Sequence, residues 1–361
     1  MKTESRAFRP DELSTFSVAC LAALGVSAPD AQTVTDNLVY AEVRGHASHG
    51  IVRLPVHAKR LVAGVVDPAG RPEIATAPAT AQAAAAVGVV DGKNALGPVV
   101  GTYAVDRAIE AAEQYGVGVF VARNSNHFGP AAFYSEIASE RGLIGIAASN
   151  APPNMAPWGG KDRFLGTNPF SVAVPAGRGS IVLDMASSLV ARGKIILAAQ
   201  KGDPIPLGWA LDPEGNPTTD AAQALLGAVL PFGGPKGSAI SLLIDVFSGV
   251  LSGAAYGRHL NTLENLSAVQ NLGHVFIVLR VDAFIASDEF RRRVDDLIEQ
   301  LKSSPKAPGV DEILAPGEIE RRRIAETGRR GITVTGDVLG QLHDLAESLG
   351  VEPPRPIEQK E

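Results

Sequence analysis

Cysteine and positive charge are both scarce in this chain of 361 residues. Cys20 is its single cysteine, which excludes an intrachain disulfide and suits a reducing compartment. The formal net charge is −6, which argues against a general nucleic-acid binder, because a phosphate backbone requires a basic face. The first residues lack the apolar core of a signal peptide, and the longest apolar stretches are interrupted by Asp245 and small residues. These features predict a soluble, cytoplasmic protein without nucleic-acid or membrane partners.

Two common nucleotide-binding signatures are missing as well. No G-x-G-x-x-G follows a predicted strand, and the nearest match, which begins at Gly116, ends a helix and begins a strand. That order is the reverse of the one that a pyrophosphate-binding turn requires. A Walker loop is also absent. The sequence therefore predicts no Rossmann domain, and a nucleotide site would have to be built in another way.

The length and the periodic patterns predict more than one hydrophobic core in a mixed α/β chain. Helical spacing begins at Ser27 as a cap and ends at Gly45. A strand is predicted from about Ala81, and the apolar segment over residues 237–257 is predicted to be one long buried helix. A later amphipathic helix is predicted to be capped by Ser287.

The polar stretch RGHASHGIVRLP, residues 44–55, lies where two predicted helices join. In it Ser48 and Arg53 flank His49, and a second candidate histidine, His127, follows a predicted strand in the loop NSNHFG. A histidine can transfer a proton at neutral pH, and an arginine can hold a carboxylate through two hydrogen bonds. Acid–base catalysis on a small carboxylic acid is therefore one hypothesis for these residues.

Other interpretations of the histidines stay open at this point. Any one of them can be a hydrogen-bonded core residue without chemistry of its own. His46, His49 and His57 could form a metal set, but the spacing is not that of a zincin and no acidic residue stands between the first two, so no metal is predicted. A nucleophilic Ser48 is disfavoured because no G-x-S-x-G sequence surrounds it.

The segment GGPKG, residues 233–237, precedes the long predicted helix. Free N–H groups and Lys236 at a helix N-terminus suit an anion. A plain turn that begins a helix has the same pattern, so both interpretations remain.

Several long segments together resemble the malate/L-lactate dehydrogenase family with the non-Rossmann fold. That family also includes ureidoglycolate and sulfolactate dehydrogenases, diketogulonate reductase and piperideine-2-carboxylate reductase. The segments occur in family order from Arg44 to about Glu318 and are therefore more specific than any one motif. They are RGHASHGIVRLP, NSNHFG, FLGTNPFSVAVP, VLDMASSLVARGKI, IPLGWALDPEGNPTTD, LPFGGPKG and NLGHVFIVL.

The resemblance implies a nicotinamide cofactor bound in a cleft between the domains of a homodimer. With the element patterns, it predicts an α/β fold of mixed α+β character. A helical domain would comprise residues 1–75 and about 285–361, and an α/β cofactor domain residues 76–120 and about 228–284. Residues 121–227 would form an inserted α/β module on the substrate side. The sequence does not settle NAD against NADP, and we favour NAD.

The family roles are carried over only to matching residues. The resemblance implies that Arg53 binds the substrate carboxylate, with Ser48 and Thr167 also at the substrate. It implies that His127 exchanges the proton of the substrate hydroxyl and that His49 assists.

Asp184 is the third predicted catalytic residue, which would orient a histidine or only bond the cofactor. A larger set is implied to contact the cofactor. Its members are His49, Thr167, Asn168, Asp184, Met185, Ala186, Lys236, Gly237, Pro316, Gly317 and Glu318.

The expected activity is hydride transfer between the nicotinamide and a small 2-hydroxy or 2-oxo acid. One rival is a reductase of a cyclic 2-imino acid, and a rival of another class is a non-catalytic small-acid binding protein. One departure from the family leaves the pocket shape open, because Ser238 stands where KGYGL in relatives has a bulky aromatic.

Overall fold

The structure, a computed structural model, describes residues 4–76 and 85–357. Helices and strands are mixed along the described chain. The helices are α1 (Pro10–Ala23), α2 (Ala28–Val43), α3 (Leu54–Val62), α4 (Gly97–Tyr115), α5 (Ala132–Glu140), α6 (Arg192–Lys201), α7 (Ala221–Leu226), α8 (Pro235–Asp245), α9 (Ser287–Ser303), α10 (Glu318–Arg330) and α11 (Gly336–Leu349). The strands are β1 (Arg6–Phe8), β2 (Glu73–Ile74), β3 (Val87–Asp91), β4 (Val117–Ser125), β5 (Ile144–Ser149), β6 (Phe170–Ala176), β7 (Gly179–Met185), β8 (Ala210–Leu211), β9 (Pro217–Thr218), β10 (Ala228–Val229), β11 (Leu272–Leu279) and β12 (Ile332–Val334).

A mixed seven-stranded sheet forms the centre of the described structure, in the order β2-β3-β4-β11-β5-β6-β7. The β3–β4 pair is parallel and the other neighbouring pairs are antiparallel. This topology confirms the prediction of a mixed fold without a doubly wound parallel sheet. The strand predicted from about Ala81 begins at Val87, and residues 77–84 lie outside the described part of the chain.

Helices cover both faces of the central sheet. Helices α4 and α5 pack on one face, where Tyr134 and Phe276 are fully buried. Helix α8 packs on the other face through Ile240 and Ile244. Strand β11 lies between β4 and β5 and is largely buried, as its nearly continuous apolar sequence predicts.

A separate helical core joins the two ends of the chain. Helices α1, α2, α3 and α11 enclose buried residues such as Phe8, Leu38 and Leu342. Strand β1 pairs antiparallel with β12 beside this core. Helix α2 begins as predicted, because the side chain of Ser27 accepts the N–H of Asp30 at 3.4 Å.

A third core lies in residues 190–229, where α6 and α7 pack beside the short sheet β10-β8-β9. Strands β4 to β7 belong to the central sheet together with β3 and β11. In the sequence they fall within the predicted inserted module of residues 121–227 or at its start. The sheet therefore takes strands from both predicted α/β units. The division into three domains remains a prediction.

Two helix predictions are wrong in detail. Ser287 is the first residue of α9 instead of its cap, and no side chain caps that helix. The apolar segment after Lys236 forms α8 and a π-helical turn, Val246–Val250, and most of its large apolar side chains are exposed. Burial fails there because only one side of the helix rests on the sheet.

Candidate active site

The turn between α2 and α3 presents the first group of predicted site residues. It consists of two single-turn 3-10 helices, Ala47–His49 and Ile51–Arg53. The hydroxyl of Ser48 lies 2.9 Å from Nδ1 of His49, and Nε of Arg53 donates to the carbonyl oxygen of Ser48 at 2.7 Å. These local bonds fix Ser48, His49 and Arg53 relative to one another.

Glu42 supports this turn from the end of α2. Its carboxylate accepts the N–H of Ile51 at 2.7 Å and lies so close to Gly50 that a side chain at that position would collide with it. Burial raises the pKa of Glu42 to about 7, although the bond from Ile51 opposes the shift. The turn that carries His49 therefore rests on a buried acid.

Strand β4 ends at Ser125 and places His127 against the turn. The imidazole centroids of His49 and His127 are 5.6 Å apart, with ring planes 25° from parallel. His57, on α3, approaches His127 from another side at 5.9 Å. The two histidines predicted to act together are thus neighbours, and a third histidine stands beside them.

Burial and nearby arginines keep these imidazoles neutral. Burial is the largest cause, and the charge of Arg53 is the next, in lowering the pKa of His49 to about 4, that of His57 to about 3 and that of His127 well below 6.5. His127 also leaves Nδ1 buried without a hydrogen-bond partner among the described residues. A neutral imidazole with a free nitrogen is suited to accept a proton or a hydrogen bond.

His274 lies behind the loop that carries His127. Its two ring nitrogens lie 2.8 Å from the hydroxyl of Ser149 and 2.7 Å from that of Ser125. Its ring stacks on Phe128 at 4.4 Å between centroids. This fully satisfied core histidine makes the end of β4 rigid.

Asp184, at the end of β7, lines a separate pocket of about 290 Å³. Its carboxylate accepts the N–H of Ala132 at 3.3 Å, at the start of α5. Burial, with the charges of Glu136 and Glu320 as smaller causes, raises the pKa of Asp184 to about 7, against the effect of the Ala132 bond. His46 belongs to the turn between α2 and α3 and lines the same pocket, so the pocket adjoins the turn that carries His49 and Arg53.

The late PGE segment closes this pocket from the other side. Pro316 and Gly317 line it, and the carbonyl of Pro316 accepts the N–H of Val182 at 3.1 Å. Gly317 has a φ of 89°, a conformation that favours glycine, and begins α10. Glu318 does not line the pocket, because its carboxylate pairs with Lys302 at 2.6 Å.

Other predicted cofactor residues meet near the end of β7. Met185 and Ala186 are half-buried there, and the following Ser187 donates two hydrogen bonds to the carbonyl of Thr167. The side chain of Asn168 is already engaged, since it accepts the N–H of Ala151 and donates to the carbonyl of Ser241.

The segment with Lys236 meets the same strand end through backbone bonds. The N–H of Phe232 donates to Ser187, and the N–H of Gly237 donates to Phe232. Lys236 is exposed at the start of α8 and forms no ion pair with residues 4–76 or 85–357. A free cation thus stands at a helix N-terminus beside the end of β7.

Sequence reasoning missed several residues that the structure brings to these sites. His57 was considered only as a possible metal ligand, and its place beside His127 was not predicted. Tyr40, Arg44 and Glu136 form a hydrogen-bonded group in the wall of the Asp184 pocket, where the carboxylate of Glu136 accepts from both others. No motif in the sequence indicated that group.

The described residues offer neither a metal site nor a membrane-spanning helix. No cluster of three or more His, Cys, Asp or Glu side chains there could hold a metal ion. None of the helices formed by residues 4–76 and 85–357 is long and apolar enough to cross a membrane.

Comparison with known proteins supplies the family. The family model described as malate/L-lactate dehydrogenase matches residues 8–343. The chain belongs to this family. The L-sulfolactate dehydrogenase of Methanocaldococcus jannaschii is 40% identical over 346 residues, which cover 95% of this chain and 97% of the relative. Its solved structure has a TM-score of 0.90 and 38% identity, with 96% and 98% of the two chains covered.

Two further members of the family differ in the cofactor that they are named for. The ureidoglycolate dehydrogenase (NAD(+)) of Escherichia coli O157:H7 is 34% identical and covers 88% of this chain and 89% of its own. The (2R)-3-sulfolactate dehydrogenase (NADP(+)) of Chromohalobacter salexigens is 36% identical and covers 82% and 87%. Family membership makes this protein an NAD(P)-dependent oxidoreductase that acts on a CH–OH group, as its motifs predicted.

Proposed function

We propose that the protein transfers hydride between a nicotinamide and the α-carbon of a small 2-hydroxy or 2-oxo carboxylic acid. The observation that carries the proposal is the meeting of Arg53, His49 and His127 from two distant segments. An anion-binding side chain beside a neutral imidazole is what proton exchange on a hydroxy acid requires. When bound, the nicotinamide supplies the hydride chemistry, and the chain supplies orientation and a proton route.

Arg53 is the proposed clamp for the substrate carboxylate. Its Nε is held by Ser48, which orients the guanidinium and leaves both terminal nitrogens for a ligand. No acidic side chain forms an ion pair with Arg53 within the described residues. Two parallel hydrogen bonds from this fork would fix a carboxylate in one orientation.

His127 is the proposed proton carrier, with His49 as its assistant. The free Nδ1 of His127 is a buried polar atom, and leaving such an atom without a partner is costly. A substrate hydroxyl would satisfy it. In oxidation His127 accepts the hydroxyl proton, and in reduction it returns one to the carbonyl oxygen. Ser48, bonded to His49, would orient the second imidazole.

The pocket beside Asp184 fits one part of a nicotinamide dinucleotide. Its volume is at the lower end of the ~300–1,000 Å³ that ligand sites occupy. Among the described residues the carboxylate of Asp184 accepts one hydrogen bond, from Ala132, so it can accept a further bond from a ribose hydroxyl. Three acids, Asp184, Glu136 and Glu320, line this pocket against two arginines, Arg44 and Arg321, and Arg44 is already paired with Glu136. This excess of acids supports a preference for NAD over NADP.

Lys236, Gly237 and the Thr167 segment are proposed to hold the rest of the cofactor. The exposed ammonium of Lys236 lies at the start of α8, where free N–H groups and a positive charge favour a phosphate. Ser238, in place of the family's aromatic, accepts the backbone N–H of Trp158 at 3.0 Å. The side chain of Trp158 lies beside Gly234 and would give this part of the pocket its bulk.

A homodimer is proposed as the working form, and the cytoplasm as its location. The support for the dimer is a continuous apolar stripe on the outer side of α8 and the π-helical turn. We call it the α8 stripe, formed by Leu242, Leu243, Val246, Phe247, Val250 and Leu251, each at least 38% exposed. A large apolar stripe of this kind marks an interaction surface.

A panel of acids tests the proposed function. Purified enzyme is mixed with a set of 2-oxo acids and cyclic 2-imino acids, each with NADH and with NADPH, while loss of reduced cofactor is followed by absorbance. We expect turnover of at least one 2-oxo acid, faster with NADH. Turnover of imino acids alone would replace the substrate class, and cofactor binding without any turnover would favour a binding protein.

A further inference from the structure

We infer that Arg60 is a positioning residue for proton transfer, which acts on His127 through a surface loop. The inference rests on the proposed role of His127. Arg60 lies on α3, and its side chain is completely buried, which makes it the largest fully buried side chain in the described chain. Burying a guanidinium is costly, and Nε of this one has no hydrogen-bond partner among the described residues, so its position requires an explanation.

The partners of Arg60 are neutral oxygens. Nη1 donates to the carbonyls of Leu263 and Asn265 at 3.2 and 2.7 Å, and Nη2 lies 3.4 Å from the carbonyl of Ala268. All three belong to residues 260–271, which we call the 260s loop. No acid pairs with Arg60 among the ion pairs that the described residues form. The guanidinium therefore bonds the backbone of this loop directly, and the one acid that acts on its charge, Glu264 in the same loop, forms no ion pair with it.

The 260s loop in turn holds His127. Gln270 is buried at its end, and its Oε1 accepts the backbone N–H of His127 at 3.1 Å. The sheet explains this meeting, because β11 begins at Leu272, which pairs with Ser125 at the end of β4, so the segments just outside the two strands lie side by side. Arg60 thus bonds three carbonyls of the 260s loop, and the Gln270 side chain of the same loop bonds the backbone of His127.

Arg60 also reaches His127 by a second route. Its Nη2 lies 3.4 Å from Oδ1 of Asn126, the residue before His127. Asn126 is buried, and its amide donates to the carbonyl of Ala95 at 2.8 Å. The amide of His127 and the side chain of the preceding Asn126 are therefore both linked to one buried cation. A histidine whose backbone is held in this way keeps its imidazole in the geometry that proton transfer requires. An error of ~1 Å in that geometry costs on the order of a hundredfold in rate.

The test uses Arg60→Met and Arg60→Lys in the full-length enzyme with its best substrate and NADH. We expect Arg60→Met to lower kcat by roughly ten- to a hundredfold. We expect the KM for the acid and the Kd for NADH to change by no more than about twofold, because Arg53 is held by Ser48 and Asp184 by Ala132. Arg60→Lys should recover part of kcat, since an ammonium can reach some of the carbonyls.

Hydrogen–deuterium exchange gives a readout that does not depend on activity. The amide of His127 should exchange faster in Arg60→Lys than in the wild type, while amides of α11 keep their rates. If Arg60→Met does not fold, Gln270→Leu removes the acceptor for that amide, and its effect on kcat should not add to that of Arg60→Lys. Arg141→Met is the matched control, because Arg141 is exposed and bonded only to Asp106.

The outcomes separate this inference from the proposed function. If His127→Ala loses activity but the Arg60 variants keep kcat and the exchange rate of His127, the inference is overturned and the function stands. A parallel loss of kcat, KM and NADH affinity would also overturn it, because that pattern indicates general loosening. If the exchange rate rises but His127→Ala keeps its kcat, the structural link is supported and the catalytic role of His127 fails.

Discussion

His49 and His127 stack with their ring centroids 5.6 Å apart, although one lies in the turn after α2 and the other beyond the end of β4. The contact places the hydrogen-bonded group of Ser48, His49 and Arg53 against the imidazole of His127. Burial, with the charge of Arg53 as the next cause, lowers the pKa values of both imidazoles.

Arg53→Lys should weaken substrate binding. The variant keeps the charge but loses the planar fork, so we expect the KM for the acid to rise by about tenfold or more, as the loss of a charge-assisted hydrogen bond implies. The Kd for NADH should stay unchanged, and Arg141→Lys serves as the exposed control. If KM stays constant while NADH affinity collapses, Arg53 serves the cofactor.

Asp184→Asn should weaken cofactor binding. Loss of an ionised acceptor for a ribose hydroxyl should raise the Kd for NADH by roughly tenfold or more. Because the pKa of Asp184 is raised to about 7, the carboxylate is ionised only above that pH, so wild-type affinity should improve as pH rises through 7. Fluorescence titration of NADH checks both effects, with Asp106→Asn as control. A variant with wild-type affinity at every pH would remove Asp184 from the cofactor site.

His274→Gln should flatten the loss of stability in acid. Burial lowers the pKa of His274 from 6.5 to about 3, so the unfolded chain binds a proton between these values that the folded chain does not. Stability must then fall as pH drops from 6.5 towards 3, by up to about 1.4 kcal/mol per pH unit for this group. Thermal melts at several pH values should show a smaller slope in the variant. An unchanged slope would mean that His274 is protonated in the fold.

Phe247→Glu should convert the proposed dimer to monomers. Phe247 lies in the middle of the α8 stripe, and a buried charge there has no partner in the proposed interface. Light scattering measures the mass, and Phe284→Glu, at another exposed apolar site, is the matched control. A wild-type protein that is monomeric and fully active would contradict the proposed homodimer.

Local sequence patterns predicted much of the fold. Ser27 begins α2, and Gly116, with a φ of 87°, ends α4 as its place in the sequence indicated. The polar turn between α2 and α3 could also be placed, because Ser48, His49 and Arg53 are close in the chain. Each of these features depends on contacts within a few residues.

Features that depend on strand register could not be predicted. Gln270 meets His127 only because β11 pairs antiparallel with β4 in a particular register. His57 and Arg60 lie on α3 among apolar residues, and nothing in their spacing distinguishes them from a surface-facing pattern. The outward face of α8 was predicted to be buried, but it is exposed in this chain. Apolar content alone does not show whether a covering surface would belong to the same chain.

The most direct test of the central claim is the rate of His127→Ala with saturating NADH and the best 2-oxo acid. We expect kcat to fall by roughly a hundredfold to ten-thousandfold, the usual contribution of general acid–base catalysis, while the Kd for NADH is kept. His49→Ala should be milder, and the double variant should not show the product of the two losses. A His127→Ala enzyme that keeps most of its kcat, beside an inactive His49→Ala, would contradict the account and assign the proton to the turn after α2.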